Sequence, residues 1–138
     1  MAIDPNNSNA LNALGFTLAN QPHRVNEALP LLQKALTLNP GNPAYMDSLG
    51  WLLFKLGRNQ EAISMLDKAY SLSGDNEIAA HLGEVLWSSG KQDAAKAIWA
   101  KALLSAQDPG VIHDTMGRLN IPASTLQSNN KNKAKAAP

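Results

Sequence analysis

The chain has 138 residues, 44% of them hydrophobic and 17% charged, which suits a single folded domain with a real core and excludes a wholly disordered polypeptide. Twelve basic residues against 11 acidic ones leave a net charge of +1, so there is no general electrostatic footprint for nucleic acid or an anionic membrane surface. The absence of cysteine excludes a disulfide framework, a thiolate metal site and a cysteine nucleophile, and the densest apolar run, "LGWLLFKL" at 49–56, falls far short of the roughly 18 residues of a membrane span.

In chain order, residues 1–7 read as the remnant of a preceding unit, because Pro5 in "AIDPNN" lies 35 residues before Pro40 in "LTLNPGN". The chain then predicts three pairs of helices. The first unit covers 8–42, with "LNALGFTL" followed by "NEALPLLQKAL"; the second covers 43–75, with "MDSLGWLL" and "QEAISMLDKAY"; the third covers 76–108, with "AAHLGEVL" and "DAAKAIWAKAL". Between the helices of units two and three, "KLGRNQ" and "SSGKQD" supply Gly57 and Gly90, which can take the left-handed conformation that ends a helix. A capping helix is expected over 109–121, opened by Asp108 and Pro109, with Val111, Ile112, Met116 and Leu119 on one side. From 122 to 138 the chain has almost no large apolar residue and reads as a flexible tail.

Two series of small residues share one period. Gly15, Gly50, Gly83 and Gly117 stand 35, 33 and 34 apart; Ala28, Ala62 and Ala95 stand 34 and 33 apart, with Ala35, Ala69 and Ala102 seven residues after each. Small residues at Gly50 and Ala62 let the two helices of a pair approach closely, while Leu66, or Trp99 in the third unit, fills the space one turn on. Trp99 occupies the position of Leu32 and Leu66 and is therefore expected in the core.

This period, with Leu-Gly in the first helix and Ala, a bulky residue and Ala in the second, resembles the tetratricopeptide repeat. The resemblance implies an all-α fold: a solenoid of three helix-turn-helix hairpins plus a C-terminal capping helix. The chain departs from the pattern where Leu18, Leu53 and Leu86 stand for an aromatic residue, and in the extra residue of "ANQPHRV". More narrowly, units two and three look like the C-terminal repeats of bacterial proteins of this family, including Gram-negative envelope lipoproteins. That would imply a parent exported to the periplasm and tethered by an upstream segment. Cytoplasmic arrays share the same repeat, so the compartment stays open.

No catalytic or metal-binding constellation emerges. "SSGKQ" lacks the earlier glycine of a phosphate loop, Val85 standing there, and Gln92 replaces the metal-binding hydroxyl. His81 and Glu84, three apart on one helix, offer two ligands where a site needs three or four. His23 and His113 belong to no nucleophile arrangement. Lys131, Lys133 and Lys135 have no interleaved aromatic residue of the kind that stacks on bases. These readings point to no enzyme, no cofactor, no metal and no nucleic-acid partner.

In the family the first helices of successive units line a concave groove, and the resemblance lays that groove on Asn9, Asn12, Phe16 and Asn20, then Asp47, Trp51, Phe54 and Lys55, then Glu77, Ala80, Glu84, Trp87 and Ser88. It implies a non-catalytic scaffold that binds a peptide or protein segment, with Trp51 as the central anchor. Packing between neighbouring helices is the competing account of Trp51 and Trp87. The clamp that some members use for a terminal carboxylate does not match, since Asn12 and Phe16 occupy its first-unit positions and unit three offers Glu77. The alternative function is a structural module that self-associates through its ends, where Leu11, Leu14 and Leu18 would lack a preceding helix.

Overall fold

The computed structural model describes residues 6–126, and the chain divides into two compact units that differ from the sequence repeats: unit one, Met1–Gly74, holds the first two helix pairs, and unit two, Asp75–Pro138, holds the third pair and the capping helix. Unit one contains α1 (Ser8–Ala19), α2 (Val25–Leu38), α3 (Pro43–Lys55) and α4 (Asn59–Ser73); unit two contains α5 (Asn76–Ser88), α6 (Gln92–Leu103) and α7 (Gly110–Arg118). The fold is all-helical, and its hairpins are α1–α2, α3–α4 and α5–α6.

Local chemistry sets the helix starts. Asn7, Asn42 and Asp75 each accept a hydrogen bond from a first-turn backbone N–H, at 3.0, 3.2 and 2.7 Å, satisfying donors that a helix start otherwise leaves open. Pro43 follows its cap at a position where the missing N–H costs nothing. Gly57 and Gly90 sit at φ 80° and 84°, turning the chain between the two helices of their hairpins. Asp108 accepts from Gly110 N at 2.8 Å and opens α7.

Inside each hairpin the same contact recurs. Ala28, Leu32 and Ala35 on α2, Ala62, Leu66 and Ala69 on α4, and Ala95, Trp99 and Ala102 on α6 are all buried. The bulky member of each triplet lies against a glycine of the facing helix. A Cβ built on Gly15 would stand 2.6 Å from Leu32, one on Gly50 2.8 Å from Leu66, and one on Gly83 2.0 Å from Trp99. The indole of Trp99 is fully buried, so its place in the core follows the spacing of the repeat.

Leu11, Ala35 and Tyr45 form a buried cluster that joins α1, α2 and α3, with Leu31 and Leu36 packed against it. In unit two, α7 covers α5 and α6 with Ile112 and Met116, both buried. The turn after α7, with Asn120 at φ 61° and Ile121 N donating to Met116 O at 2.8 Å, leads into residues 124–126, which are helical. Ile121 and Leu126 are buried. Ordered packing therefore runs past Pro122, where the sequence alone suggests a flexible tail. The rest of that tail, with Lys131, Lys133 and Lys135, lies outside the described residues, as does most of the expected remnant at 1–7.

The second helices of unit one open on matched ion pairs, Arg24 with Glu27 and Arg58 with Glu61, each three residues apart. Hydrogen bonding from the arginine holds each of these carboxyls below its ordinary value of 4.5. A depressed native pKa stabilises above the unfolded value and loses that contribution as pH falls through the native value. Acidification below pH 4.5 should therefore lower the urea midpoint less in the Glu27→Gln/Glu61→Gln variant than in the wild type. Parallel losses in both proteins would show that the pairs carry none of the acid response.

Candidate protein-binding surface

In unit one, α1 and α3 pack side by side and bring together the residues assigned to the first two units of the groove. Tyr45 fixes the start of this surface: its hydroxyl donates to Asn9 Oδ1 and lies 3.0 Å from Ser8 Oγ, tying the first turn of α3 to the first turn of α1. Trp51 fixes the other end. Its Nε1 donates to Asn20 Oδ1 at 3.0 Å, and Asn20 Nδ2 in turn donates to the Phe16 carbonyl at 3.2 Å.

Trp51, expected as the central anchor with packing between helices as the competing account, is only 6% exposed, so its ring is packed in the free chain. Its ring lies 5.3 Å from that of Phe54, and Lys55 Nζ stands 4.8 Å from the Trp51 centroid and 5.9 Å from that of Phe54. The ammonium over the indole face is a cation–π arrangement, favoured because the negative ring face meets a positive charge. Trp51 is thus the floor on which Phe54 and Lys55 are arranged. Phe16, Phe54 and Asp47 are half-buried, while Asn9, Asn20 and Lys55 are exposed.

Asn12, half-buried on α1 one turn before Phe16, carries a side-chain oxygen that is buried and lacks a hydrogen-bond partner among the described residues.

Unit two differs. Glu77 is exposed in the first turn of α5 and Trp87 is half-buried, its ring 6.0 Å from that of Trp99, whereas Ala80 is buried. Glu84, also placed in the groove by its spacing, is 6% exposed and receives both terminal nitrogens of Arg118, with Nη1 to Oε2 at 3.1 Å. Its carboxylate is therefore committed to α7 and does not face a partner directly. The hydrogen bonds it donates to Glu84 hold the Arg118 guanidinium above its ordinary value against the opposing effect of burial.

Sequence reasoning passed over Arg118, although a signal was present: it stands 34 residues after Glu84, the equivalent position one repeat later, with the opposite charge. It also passed over Asn76, buried at the start of α5, whose Nδ2 donates to the Asp108 carbonyl and whose backbone N–H donates to Gln107 Oε1. Among the described residues no group of three or more His, Cys, Asp or Glu side chains is placed to hold a metal ion, and no helix is long and apolar enough to cross a membrane.

The profile of the tetratricopeptide repeat matches residues 19–69 and 53–119. The chain is 46% identical over 84 residues to the TPR repeat-containing protein PA4667 of Pseudomonas aeruginosa, a stretch covering 61% of this chain and 14% of that protein. It is 37% identical over 94 residues to Tetratricopeptide repeat protein 7A of Homo sapiens, covering 67% of this chain and 11% of that one. The chain thus spans a small part of the length of these curated relatives. Among solved structures, TTC0263, a thermophilic TPR protein of Thermus thermophilus, matches with a TM-score of 0.64 at 28% identity, over 83% of this chain and 61% of that one. The names of these relatives say nothing of an envelope lipoprotein.

Proposed function

The chain belongs to the tetratricopeptide repeat family, and from that premise we propose that it is a non-catalytic scaffold whose unit one binds a protein segment along α1 and α3. The observation that carries this reading is the pair of half-buried aromatic rings, Phe16 on α1 and Phe54 on α3, with Lys55 held over Trp51. An apolar side chain of the segment covers Phe16 and Phe54, and Lys55, held over Trp51, lies at the edge. Asn9, Asn20 and Asp47 supply the polar rim. Taken by itself, unit two offers Glu77 and Trp87 on α5, and Glu84 reaches a partner only through the exposed side of Arg118.

The test is affinity capture with the wild-type chain and with the Phe16→Ala/Phe54→Ala variant, followed by calorimetry on the captured segment. The variant should bind about 30-fold more weakly, roughly 2 kcal/mol, with its helical circular dichroism retained. Equal affinity in a folded variant sinks the reading.

A further inference from the structure

The face formed by α1 and α3 carries its charge unevenly. Helix α1 contains no charged residue, and the two charges of α3 are Asp47 and Lys55, eight residues or about 12 Å apart along the helix axis. Arg24 and Arg58, in the turns that follow α1 and α3, are already matched by Glu27 and Glu61. Lys55 is not: it is exposed and has no ion pair among the described residues. Its ammonium instead stands 4.8 Å from the Trp51 centroid and 5.9 Å from that of Phe54, above an indole that is itself buried and tied to Asn20 at 3.0 Å. The rings attract the cation but supply no oxygen acceptor for its three N–H donors. A positive charge is thus held in place next to Phe54, with its hydrogen-bonding capacity open to a partner.

We propose that the segment bound along α1 and α3 is acidic at its Lys55 end, with an Asp or Glu side chain close in sequence to the apolar side chain that covers Phe54. This rests on the reading of α1 and α3 as the binding face and adds the partner's chemistry to it. A carboxylate meets the ammonium in a charge-assisted hydrogen bond, stronger than a neutral amide or carbonyl would make. At the opposite end the same carboxylate would meet the like charge of Asp47, and the separation of the two ends exceeds the roughly 8 Å screening length at physiological salt, so each end acts on its own neighbour. The acid therefore also sets the direction in which the segment lies. The group recognised is a side-chain carboxylate within a chain, not a chain terminus.

A library of random peptides displayed between two fixed flanks, which offers no terminal carboxylate, is selected on the wild-type chain and on Lys55→Glu, a change at an exposed site. Wild-type selections should pair a Leu, Ile, Met or Phe with a nearby Asp or Glu. Lys55→Glu selections should keep the apolar residue and exchange the acid for Lys or Arg; should that variant fail to fold, Lys55→Met takes its place and should show no acidic preference. In a selected peptide made with acetyl and amide ends, replacing the acid by its amide should weaken wild-type binding about threefold at low salt, the scale of one exposed ion pair, and leave binding to Lys55→Met unchanged. Apolar enrichment without an acid, or an acidic preference that persists in the Lys55 variants, overturns the proposal and leaves the binding face standing. Peptides that bind Phe16→Ala/Phe54→Ala as tightly as the wild type, or selections with no enrichment at all, overturn the face and the proposal together.

Discussion

Replacing Trp99 with alanine should lower the unfolding free energy by about 3–5 kcal/mol, the range for deleting a large buried aromatic side chain. The indole is fully buried between α5 and α6, against Gly83 and 6.0 Å from Trp87. Its Nε1 has no hydrogen-bond partner among the described residues, so the loss is one of packing and cavity formation. Trp99→Phe should accordingly recover much of the stability, because the missing N–H was unused. Urea unfolding followed by circular dichroism checks both variants; a loss under about 1 kcal/mol for Trp99→Ala, the size of an ordinary surface change, would place this residue outside the core.

Gly83→Ala is the second large effect, and its sign runs against helix propensity. An alanine in a helix interior is ordinarily better than glycine by about 1 kcal/mol. At Gly83, however, the new Cβ would stand 2.0 Å from Trp99 Nε1 and 2.3 Å from its Cε2, inside any permitted contact. Either α5 and α6 separate or the indole leaves its rotamer, and overpacking of this kind costs about 1–3 kcal/mol. The net expectation is destabilisation by roughly 2 kcal/mol. Gly117→Ala, on the exposed side of α7 with nothing within 4 Å of its Cβ, should instead stabilise by up to about 1 kcal/mol. Shrinking the partner is the decisive control: Gly83→Ala/Trp99→Leu should be more stable than the sum of the two single changes implies, a coupling expected of residues in contact. Additive losses would show that the glycine and the indole do not share one space.

The hairpins were legible in the sequence because each local signal agreed with the others. Gly57 and Gly90 interrupt the helical spacing, and Ala62, Leu66 and Ala69 recur as Ala95, Trp99 and Ala102. The surface was less legible. Trp51 stands off the Leu stripe of its own helix, yet α3 is buried over most of its length, from Tyr45 to Leu53, because it packs against both α4 and α1. Single-helix periodicity assumes one buried face and cannot count two. The side chain that takes the Trp51 N–H is Asn20, 31 residues earlier, which no pattern within α3 could supply.

The pairing of Glu84 was hidden for a related reason. Its spacing resembles that of a solvated groove position, but its partner lies one repeat along the chain, where Arg118 occupies the equivalent place. Leu126 is a lone apolar residue in a polar stretch, and one residue has no period to read; its burial depends on the turn at Asn120.

The glycine contacts in the three hairpins also bear on how such repeats can be recombined. A Cβ at Gly15 would meet a leucine at 2.6 Å and one at Gly50 another at 2.8 Å, but Gly83 faces the edge of an indole. The hairpins share a sequence period without sharing an interior shape. Helix α6 is cut to fit α5, so exchanging it with α2 or α4 would leave either a void beneath a leucine or an indole with nowhere to lie. Within one chain, the repeats are matched pairs rather than interchangeable modules.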